Sequence, residues 1–227
     1  MFTSERDREL AVSAGCEVPT AVVPNGVDLI EFAPEETPTG SDIVFVGADF
    51  YPNNDAIRFY ADEVFPVVRR SYPGARLVVV GGAANALRDR TREGVELLGV
   101  VENVREHVAR AAVVIAPLRV GGGTRLKILE AMAMARPVVA TRIGAEGIDA
   151  RAGRDILIAD DPRDLARETL RVLADAELAR AIGSAGRELV QRRYDWDVLS
   201  ADLRRFARAL LAPRRAYRLA LGRERAS

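Results

Sequence analysis

Cysteine and histidine are almost absent from this sequence, since each occurs once, as Cys16 and His107. A single cysteine excludes an intramolecular disulfide framework and any metal site built from several cysteines. A single histidine argues against a histidine-based metal site and against a Ser-His-Asp triad within the chain. The sequence therefore predicts no metal, and we interpret His107 as a helix-surface residue.

Long hydrophobic runs and an excess of charge of either sign are missing as well. No apolar stretch reaches the roughly 20 residues that span a membrane, and the first ten residues are too charged for a secretory signal peptide. The 33 basic and 33 acidic residues balance, so no bulk charge points to nucleic acid. These features are compatible with a cytoplasmic protein that binds no nucleic acid.

Lysine is equally scarce. Of the 33 basic residues, 32 are arginine and only Lys127 is lysine. Such a skew is typical of a genome biased toward arginine codons, so the one retained lysine marks a position for closer inspection.

Short β-branched runs alternate with longer amphipathic stretches, which predicts βα units around a parallel sheet. The central runs are almost purely apolar, as expected when helices cover both faces of the sheet. We predict strands at residues 21–23, 43–46, 77–80, 96–98, 113–116, 138–140 and 156–159. We predict helices at residues 54–70, 84–91, 103–110, 124–135, 162–174, 176–192, 196–211 and 214–221. The fold class is therefore α/β, a Rossmann-like parallel sheet with helices on both faces and a helical C-terminus.

Two segments stand apart from the main domain, which we place at residues 18–211. Near the N-terminus, a short helix is predicted over residues 4–14 with Ser4 as its N-cap. The arginine-rich residues 212–227 form a basic C-terminal tail. Within the main domain, residues 33–41 contain proline and glycine and are interpreted as a linker.

The most informative segment is "VGGGTRLKILEAMAMARPVVAT", which follows the predicted strand 113–116. An open parallel sheet binds ligands beyond the carboxyl ends of its strands. Gly121, Gly122 and Gly123 let a ligand approach the backbone closely. Thr124 is predicted to cap the helix that follows, and the free N–H groups of such a helix suit a phosphate.

Positive charge at the start of this helix also points to an anion. Arg125 and Lys127 are predicted in the first turn, where cations are unfavourable against the helix dipole unless an anion occupies the site. Glu130 can reach ribose hydroxyls as a two-acceptor carboxylate. The alternative is a glycine-rich turn with solvent-facing charges, and the spacing alone leaves both interpretations open.

Two common nucleotide-binding motifs are absent. A P-loop needs Gly-Lys followed by Ser or Thr, whereas the residue before Lys127 is leucine. The dinucleotide fingerprint G-x-G-x-x-G is missing after the predicted strands 43–46 and 77–80.

The segment from Gly121 to Thr141 resembles the signature region of the family-4, or group 1, glycosyltransferases, which have two Rossmann domains (the GT-B architecture). Other pieces follow in the family's order, namely "VVPNGVD", "IVFVG", "RLVVVGG" and "LLGVVENVREHVARAAVVIAPL". This resemblance covers residues 18–211. In addition, "TSERDREL" is similar to the last helix of the N-terminal domain, so residues 1–17 are interpreted as a remnant of that domain.

The resemblance implies roles for residues in a donor site. Glu130 matches the second glutamate of the family's E-x7-E motif, which contacts the donor ribose. Gly122, Gly123 and Thr124 match the loop that faces the donor sugar and phosphates, and Gly47 matches the glycine that faces the diphosphate.

Two further stretches carry implied roles. Gly99, Val100 and Val101 match the stretch that holds the nucleobase through main-chain groups. Asn25 and Gly26 lie along the inter-domain cleft by the same resemblance. Because main-chain recognition leaves no side-chain code, UDP-, GDP- and ADP-linked sugars all remain open as donors.

The sequence also departs from the family pattern. The first glutamate of E-x7-E falls at Gly122, so a carboxylate that usually contacts the donor sugar is missing. Ala135 stands where the family often has glycine. If that position is a left-handed helix end, alanine costs on the order of 1 kcal/mol.

A third departure concerns the diphosphate. After Gly47 the family usually supplies an arginine and a lysine, whereas this chain has Asp49, Phe50 and Asn53 in that region. We hypothesise that Arg125 and Lys127 replace the lost pair, because a bidentate arginine and a point-charge lysine suit a diphosphate.

The resemblance implies a retaining glycosyltransferase that uses a nucleoside-diphosphate sugar, needs no cofactor and acts in bacterial polysaccharide or glycolipid synthesis. This chain would be the donor-binding half, inactive without an N-terminal acceptor domain supplied in cis or in trans. Two alternatives stay open: a nucleotide-sugar-binding module without transfer activity, and an enzyme like the nucleotide-sugar 2-epimerases. Many acceptors of the family are membrane-linked, so the basic tail is expected either in solvent or in peripheral contact with anionic lipid of the inner membrane.

Overall fold

Six parallel strands form one sheet in the order β3-β2-β1-β4-β5-β6. The structure is a computed structural model that describes residues 1–34, 40–121 and 123–211. Strands β1 to β6 are Asp42–Val46, Arg76–Val80, Val95–Gly99, Val113–Ala116, Val138–Ala140 and Leu157–Ile158. The strand order reverses between β1 and β4, which is where open α/β sheets bind their ligands.

Helices α1 to α8 are Glu5–Ser13, Tyr51–Phe59, Phe65–Ser71, Val104–Ala109, Leu126–Ala133, Pro162–Ala174, Ala176–Arg193 and Trp196–Leu211. The π-helix Tyr60–Val64 joins α2 to α3, and the 3-10 helix Gly82–Leu87 follows β2. None of the helices described is long and apolar enough to cross a membrane.

The central strands are buried from end to end. All four residues of β4 and all three of β5 are buried, and the middle of β1 is equally inaccessible. Strands covered on both faces consist of continuous apolar runs rather than alternating ones. The predicted fold class, a Rossmann-like parallel sheet covered by helices, is therefore confirmed.

One predicted strand is wrong. Residues 21–23 do not join the sheet, because Val22 forms only an isolated parallel bridge with Phe2. The N–H of Phe2 donates to the carbonyl of Ala21, and the N–H of Val23 donates to the carbonyl of Phe2, both at 2.9 Å. The backbone groups of this short apolar run are thus satisfied by the N-terminal segment instead of a sheet neighbour.

Several helices differ from their predicted extents. The helix expected at residues 54–70 begins three residues earlier, at Tyr51, since proline is accepted in a first helical turn. The helix expected at 84–91 is the 3-10 segment after β2. The helix expected at 214–221 and the basic tail lie outside the described residues, as do residues 35–39 of the linker.

Ala135, which follows α5, is in the left-handed conformation with a φ of +54°, so the condition stated for its cost is met. The N–H of Ala135 donates to Met132 and that of Arg136 donates to Ala131, which is the Schellman pattern. A Cβ at Gly183 of α7 would collide with the Ala135 carbonyl oxygen. Close packing of α7 on this turn therefore requires glycine at position 183.

Candidate functional site

Backbone hydrogen bonds of glycine residues connect the carboxyl ends of β1, β2 and β3. The N–H of Gly47 donates to Val80 and the N–H of Gly81 donates to Gly99, while the carbonyl of Gly47 accepts from Ala83. A Cβ at Gly81, whose φ is +95°, would collide with the carbonyl oxygen of Gly47. The structure thus places Gly47 and Gly99, which were assigned to the diphosphate and the nucleobase, on one edge of the sheet.

The stretch assigned to the nucleobase is open to solvent at this edge. Gly99 ends β3 with a φ of +69°, and the side chain of Val100 is 86% exposed. Val101 packs partly against the hydrophobic core. After β3 the chain is therefore exposed to solvent at Val100 and packed against the core at Val101.

The glycine-rich loop after β4 adopts conformations that favour glycine. Gly121 and Gly123 have φ values of +113° and +81°, in the left-handed region that other residues rarely enter. Gly122 lies outside the described residues. At these two positions the backbone therefore favours glycine, and the binding role of the loop stays a prediction.

Thr124 does not cap α5, contrary to the sequence-based expectation. The helix begins at Leu126, and its N-cap residue is Arg125, whose side chain makes no capping bond. The Thr124 side chain is buried and its hydroxyl donates to the carbonyl of Thr3 at 3.2 Å. The Thr124 hydroxyl therefore forms its hydrogen bond with the N-terminal segment instead of with the first turn of α5.

Lys127 contacts residues of β1 and α2. Its Nζ donates to Oδ1 of Asn53 at 2.8 Å and sits 4.4 Å from the ring centroid of Phe45. Burial, together with the positive charge of Arg125, lowers the pKa of Lys127 to about 7, whereas Glu130 opposes the shift. The ammonium is therefore held in a fixed place by uncharged groups.

The pKa values of the neighbouring charged groups also reflect burial. Burial lowers the pKa of Arg125, although Glu146 partly offsets this. Burial raises the pKa of Glu130; Lys127 acts in the opposite direction and Glu31 adds to the rise. Two cations and one carboxylate are thus concentrated at the start of α5, where an added anion would be stabilised by both cations.

Two other charged residues of this edge are matched within the protein. Arg119, which follows β4, donates to both carboxylate oxygens of Asp55 at 2.6 and 3.0 Å. Asp49 accepts from Asn54 at 2.8 Å and from Asn85 at 3.2 Å, which lowers its pKa. The carboxylate of Asp55 therefore neutralises Arg119. Lys127 differs, because the groups that contact its ammonium, Asn53 and Phe45, are uncharged.

The residues assigned to the cleft occupy a different neighbourhood. A Cβ at Gly26 would lie 2.8 Å from side-chain atoms of Trp196 and Leu199, both on α8. Asn25, which precedes it, is half-buried. The contacts of Gly26 are thus with the C-terminal helix rather than with the glycine-rich loop.

Sequence reasoning missed the residues that hold Lys127. Asn53 was visible only as a departure from a basic pattern, and nothing in the sequence connected it with a lysine 74 positions away. Phe45 carries no signal of its own, because it is one residue of the apolar run 43–46. No group of three or more His, Cys, Asp or Glu that could hold a metal occurs among the residues that the structure describes.

Comparisons with known proteins point to one family. Residues 40–175 match the model of the family described as "Glycosyl transferases group 1". The GDP-mannose-dependent alpha-(1-6)-phosphatidylinositol monomannoside mannosyltransferase of Mycobacterium tuberculosis is 31% identical over 162 residues, which cover 63% of this chain and 42% of the relative. The chain therefore spans less than half the length of the curated relatives that it matches.

Two solved structures share the fold at low sequence identity. Anabaena HepE in complex with UDP-glucose is 15% identical, with a TM-score of 0.74, and the match covers 92% of this chain and 63% of HepE. The C-terminal domain of LpcC, a group 1 family protein from Francisella tularensis, is 18% identical with a TM-score of 0.58. That match covers 75% of this chain and 100% of the LpcC domain.

Proposed function

The chain belongs to the group 1 glycosyl transferases, and from this membership we propose that it is the donor-binding half of a retaining enzyme that uses a nucleoside-diphosphate sugar. One observation carries the proposal. The Lys127 ammonium is held beside Arg125 at the carboxyl edge of the sheet, next to a glycine-rich loop. This is the arrangement that a diphosphate needs, with fixed positive charge and an accessible backbone.

The proposed chemistry follows from where charge develops. When the bond between the sugar carbon and the phosphate oxygen breaks, its electron pair stays on the leaving diphosphate. Lys127 offers a point charge and Arg125 a planar set of donors to those oxygens. Since both are in place before the donor arrives, they stabilise the transition state without reorganisation.

The remaining assigned residues complete the proposed donor site. Glu130, on α5, supplies carboxylate oxygens that accept hydrogen bonds from the ribose hydroxyls. The backbone at Gly99, Val100 and Val101 takes the nucleobase. Gly123 offers backbone to the donor sugar and phosphates.

The acceptor half is proposed to be a separate N-terminal domain. The whole length of the LpcC C-terminal domain matches part of this chain, and the curated relatives are more than twice as long as the matched region. We propose that residues 1–17 are the last piece of that N-terminal domain. The acceptor is then a bacterial polysaccharide or glycolipid reached in the cytoplasm or at the inner membrane surface.

A second candidate is a nucleotide-sugar-binding module without transfer activity. Gly122 favours it, because the position has no side chain where the family's first E-x7-E glutamate contacts the donor sugar. Supplying the N-terminal domain of a relative separates the two candidates. Transfer of sugar to an acceptor would establish the enzyme half, and saturable donor binding without transfer would establish the binding module.

Calorimetric titration tests the donor site itself. We would titrate the chain with UDP, GDP, ADP, UDP-glucose and GDP-mannose, and repeat each titration with Lys127→Ala. Loss of a point charge to phosphate should raise the Kd about tenfold or more, since a charge-assisted hydrogen bond contributes about 1.5–3 kcal/mol. Arg180→Ala, which removes an exposed charge on α7, is the control and should leave the Kd unchanged. Equal Kd values for Lys127→Ala and wild type would refute the proposed site.

A further inference from the structure

Asn53 is oriented by two hydrogen bonds from opposite ends of its amide. Its Nδ2 donates to the carbonyl oxygen of Ala48 at 3.1 Å, and its Oδ1 accepts from Lys127 Nζ at 2.8 Å. An amide has one acceptor oxygen and one donor nitrogen. Because the nitrogen is engaged by the loop after β1, the oxygen is the end that faces the ammonium.

The ring of Phe45 provides the second contact, and Gly47 makes room for both. Phe45 is fully buried, so its ring is fixed by the core, and its face lies 4.4 Å from the ammonium. A Cβ at Gly47 would lie 2.8 Å from Cε1 of Phe45 and 3.0 Å from Cγ of Asn53. Glycine at position 47 therefore allows the two groups that hold Lys127 to pack against the end of β1.

We propose that Asn53 and Phe45 are positioning residues, which hold the Lys127 ammonium in place and leave its other N–H donors for the donor diphosphate. This inference rests on the proposed function. An ammonium has three N–H donors, and Asn53 is the one hydrogen-bond acceptor that it contacts in the described part of the chain. The lysine side chain is thus ordered before the donor binds, which removes an entropy cost from binding.

The uncharged nature of both groups is central to the argument. At Arg119 the protein pairs a cation with the carboxylate of Asp55, which neutralises it. At Lys127 it uses an amide oxygen and an aromatic face, which orient the ammonium and leave its charge available. The charges that act on Lys127 are Arg125 on the preceding loop and Glu130 on its own helix; β1 and α2 contribute only the neutral Phe45 and Asn53.

A measurement without ligand tests the positioning directly. Lys127 is the only lysine of the chain, so labelling with ¹³C-lysine gives a single side-chain NMR signal whose pH titration reports the pKa of Lys127. Asn53→Leu removes the acceptor at similar volume and should lower this pKa by about one unit, since the hydrogen bond favours the charged form. Asn53→Asp should raise the pKa by a comparable amount, because a carboxylate then faces the ammonium.

The neighbouring asparagine provides a matched control. Asn54 donates to Asp49 instead of facing Lys127, so Asn54→Leu should leave the Lys127 pKa within a few tenths of the wild-type value. Equal shifts for Asn53→Leu and Asn54→Leu, or no rise for Asn53→Asp, would overturn the assignment. The opposite signs expected for the two Asn53 variants also keep the test valid if one of them folds poorly.

A double-mutant cycle connects the positioning to donor binding, with UDP-glucose and GDP-mannose as the probes. Asn53→Leu should weaken binding about tenfold in the wild-type background and leave the Kd of Lys127→Ala unchanged, because its effect acts through the lysine. Additive losses would show a merely structural role and refute the positioning. If Lys127→Ala does not weaken binding, the proposed function fails, while the NMR result still decides whether Asn53 holds the ammonium.

Discussion

Binding of a nucleotide sugar should weaken as the pH rises through neutrality, because Lys127 loses its positive charge in that range. Burial, reinforced by the charge of Arg125, lowers the pKa of Lys127 to about 7 in the free protein. A bound diphosphate favours the charged form and raises the pKa of the same group. The donor therefore binds together with a proton whenever the pH lies above the free-state pKa.

The magnitude follows from the charged fraction of Lys127. With a pKa of about 7, roughly nine tenths of the molecules carry the ammonium at pH 6 and roughly one tenth at pH 8. If the charged form alone holds the diphosphate, the Kd rises about tenfold between these pH values, which is about 1.4 kcal/mol. The affinity is fully present below the free-state pKa and declines above it.

Calorimetry at pH 6, 7 and 8 in buffers of different ionisation enthalpy measures both the Kd and the number of protons taken up. UDP-glucose and GDP-mannose are preferable to UDP as ligands, because a terminal phosphate group itself titrates near pH 6. At pH 7 we expect uptake of about half a proton per donor bound, since about half of the lysines are neutral.

Lys127→Arg serves as the control for this effect. Arginine stays protonated at all these pH values, so the Kd of the variant should be nearly independent of pH and its proton uptake close to zero. A wild-type Kd that does not change with pH, or an equal pH dependence in the arginine variant, would refute the assignment of the titration to Lys127.

Three further predictions concern other parts of the molecule. Glu130→Gln should weaken binding of UDP or GDP more than binding of inorganic pyrophosphate in calorimetry, because the assigned contact of Glu130 is with ribose; equal losses would contradict it. Ala135→Gly should raise the free energy of unfolding by about 1 kcal/mol in urea titrations, since the φ of +54° favours glycine. Gly183→Ala should lower the free energy of unfolding by about 1–3 kcal/mol, because the added Cβ collides with the Ala135 carbonyl. As a control, Ser184→Ala at an exposed position of the same helix should change the free energy of unfolding by less than about 0.5 kcal/mol.

Much of the architecture could be predicted from local patterns. The apolar run at 113–116 is a strand with those bounds, and the periodic segment at 162–174 is a helix with those bounds. Such elements follow from periodicity within a few residues of one another. The predicted strand at 21–23 failed because partners decide whether a short apolar run joins a sheet, and its partner proved to be Phe2.

Candidate residues could be predicted where backbone chemistry or charge type marked them. The glycine-rich loop, the single lysine at position 127 and the carboxylate at position 130 were all visible in the sequence. The predicted capping role of Thr124 is wrong, because its hydroxyl donates to the carbonyl oxygen of Thr3, which lies 121 positions away. A contact across that distance leaves no local pattern.

By itself, the sequence determined which residue types line the carboxyl edge of the sheet, since strand positions and loop composition follow from short-range patterns. Only the tertiary structure decided how they act. Packing brings Asn53 and Phe45 to Lys127 and buries its ammonium, and these two effects set its orientation and its pKa. The physical reason is that hydrogen-bond partners and desolvation depend on neighbours in space, which no run of consecutive residues specifies.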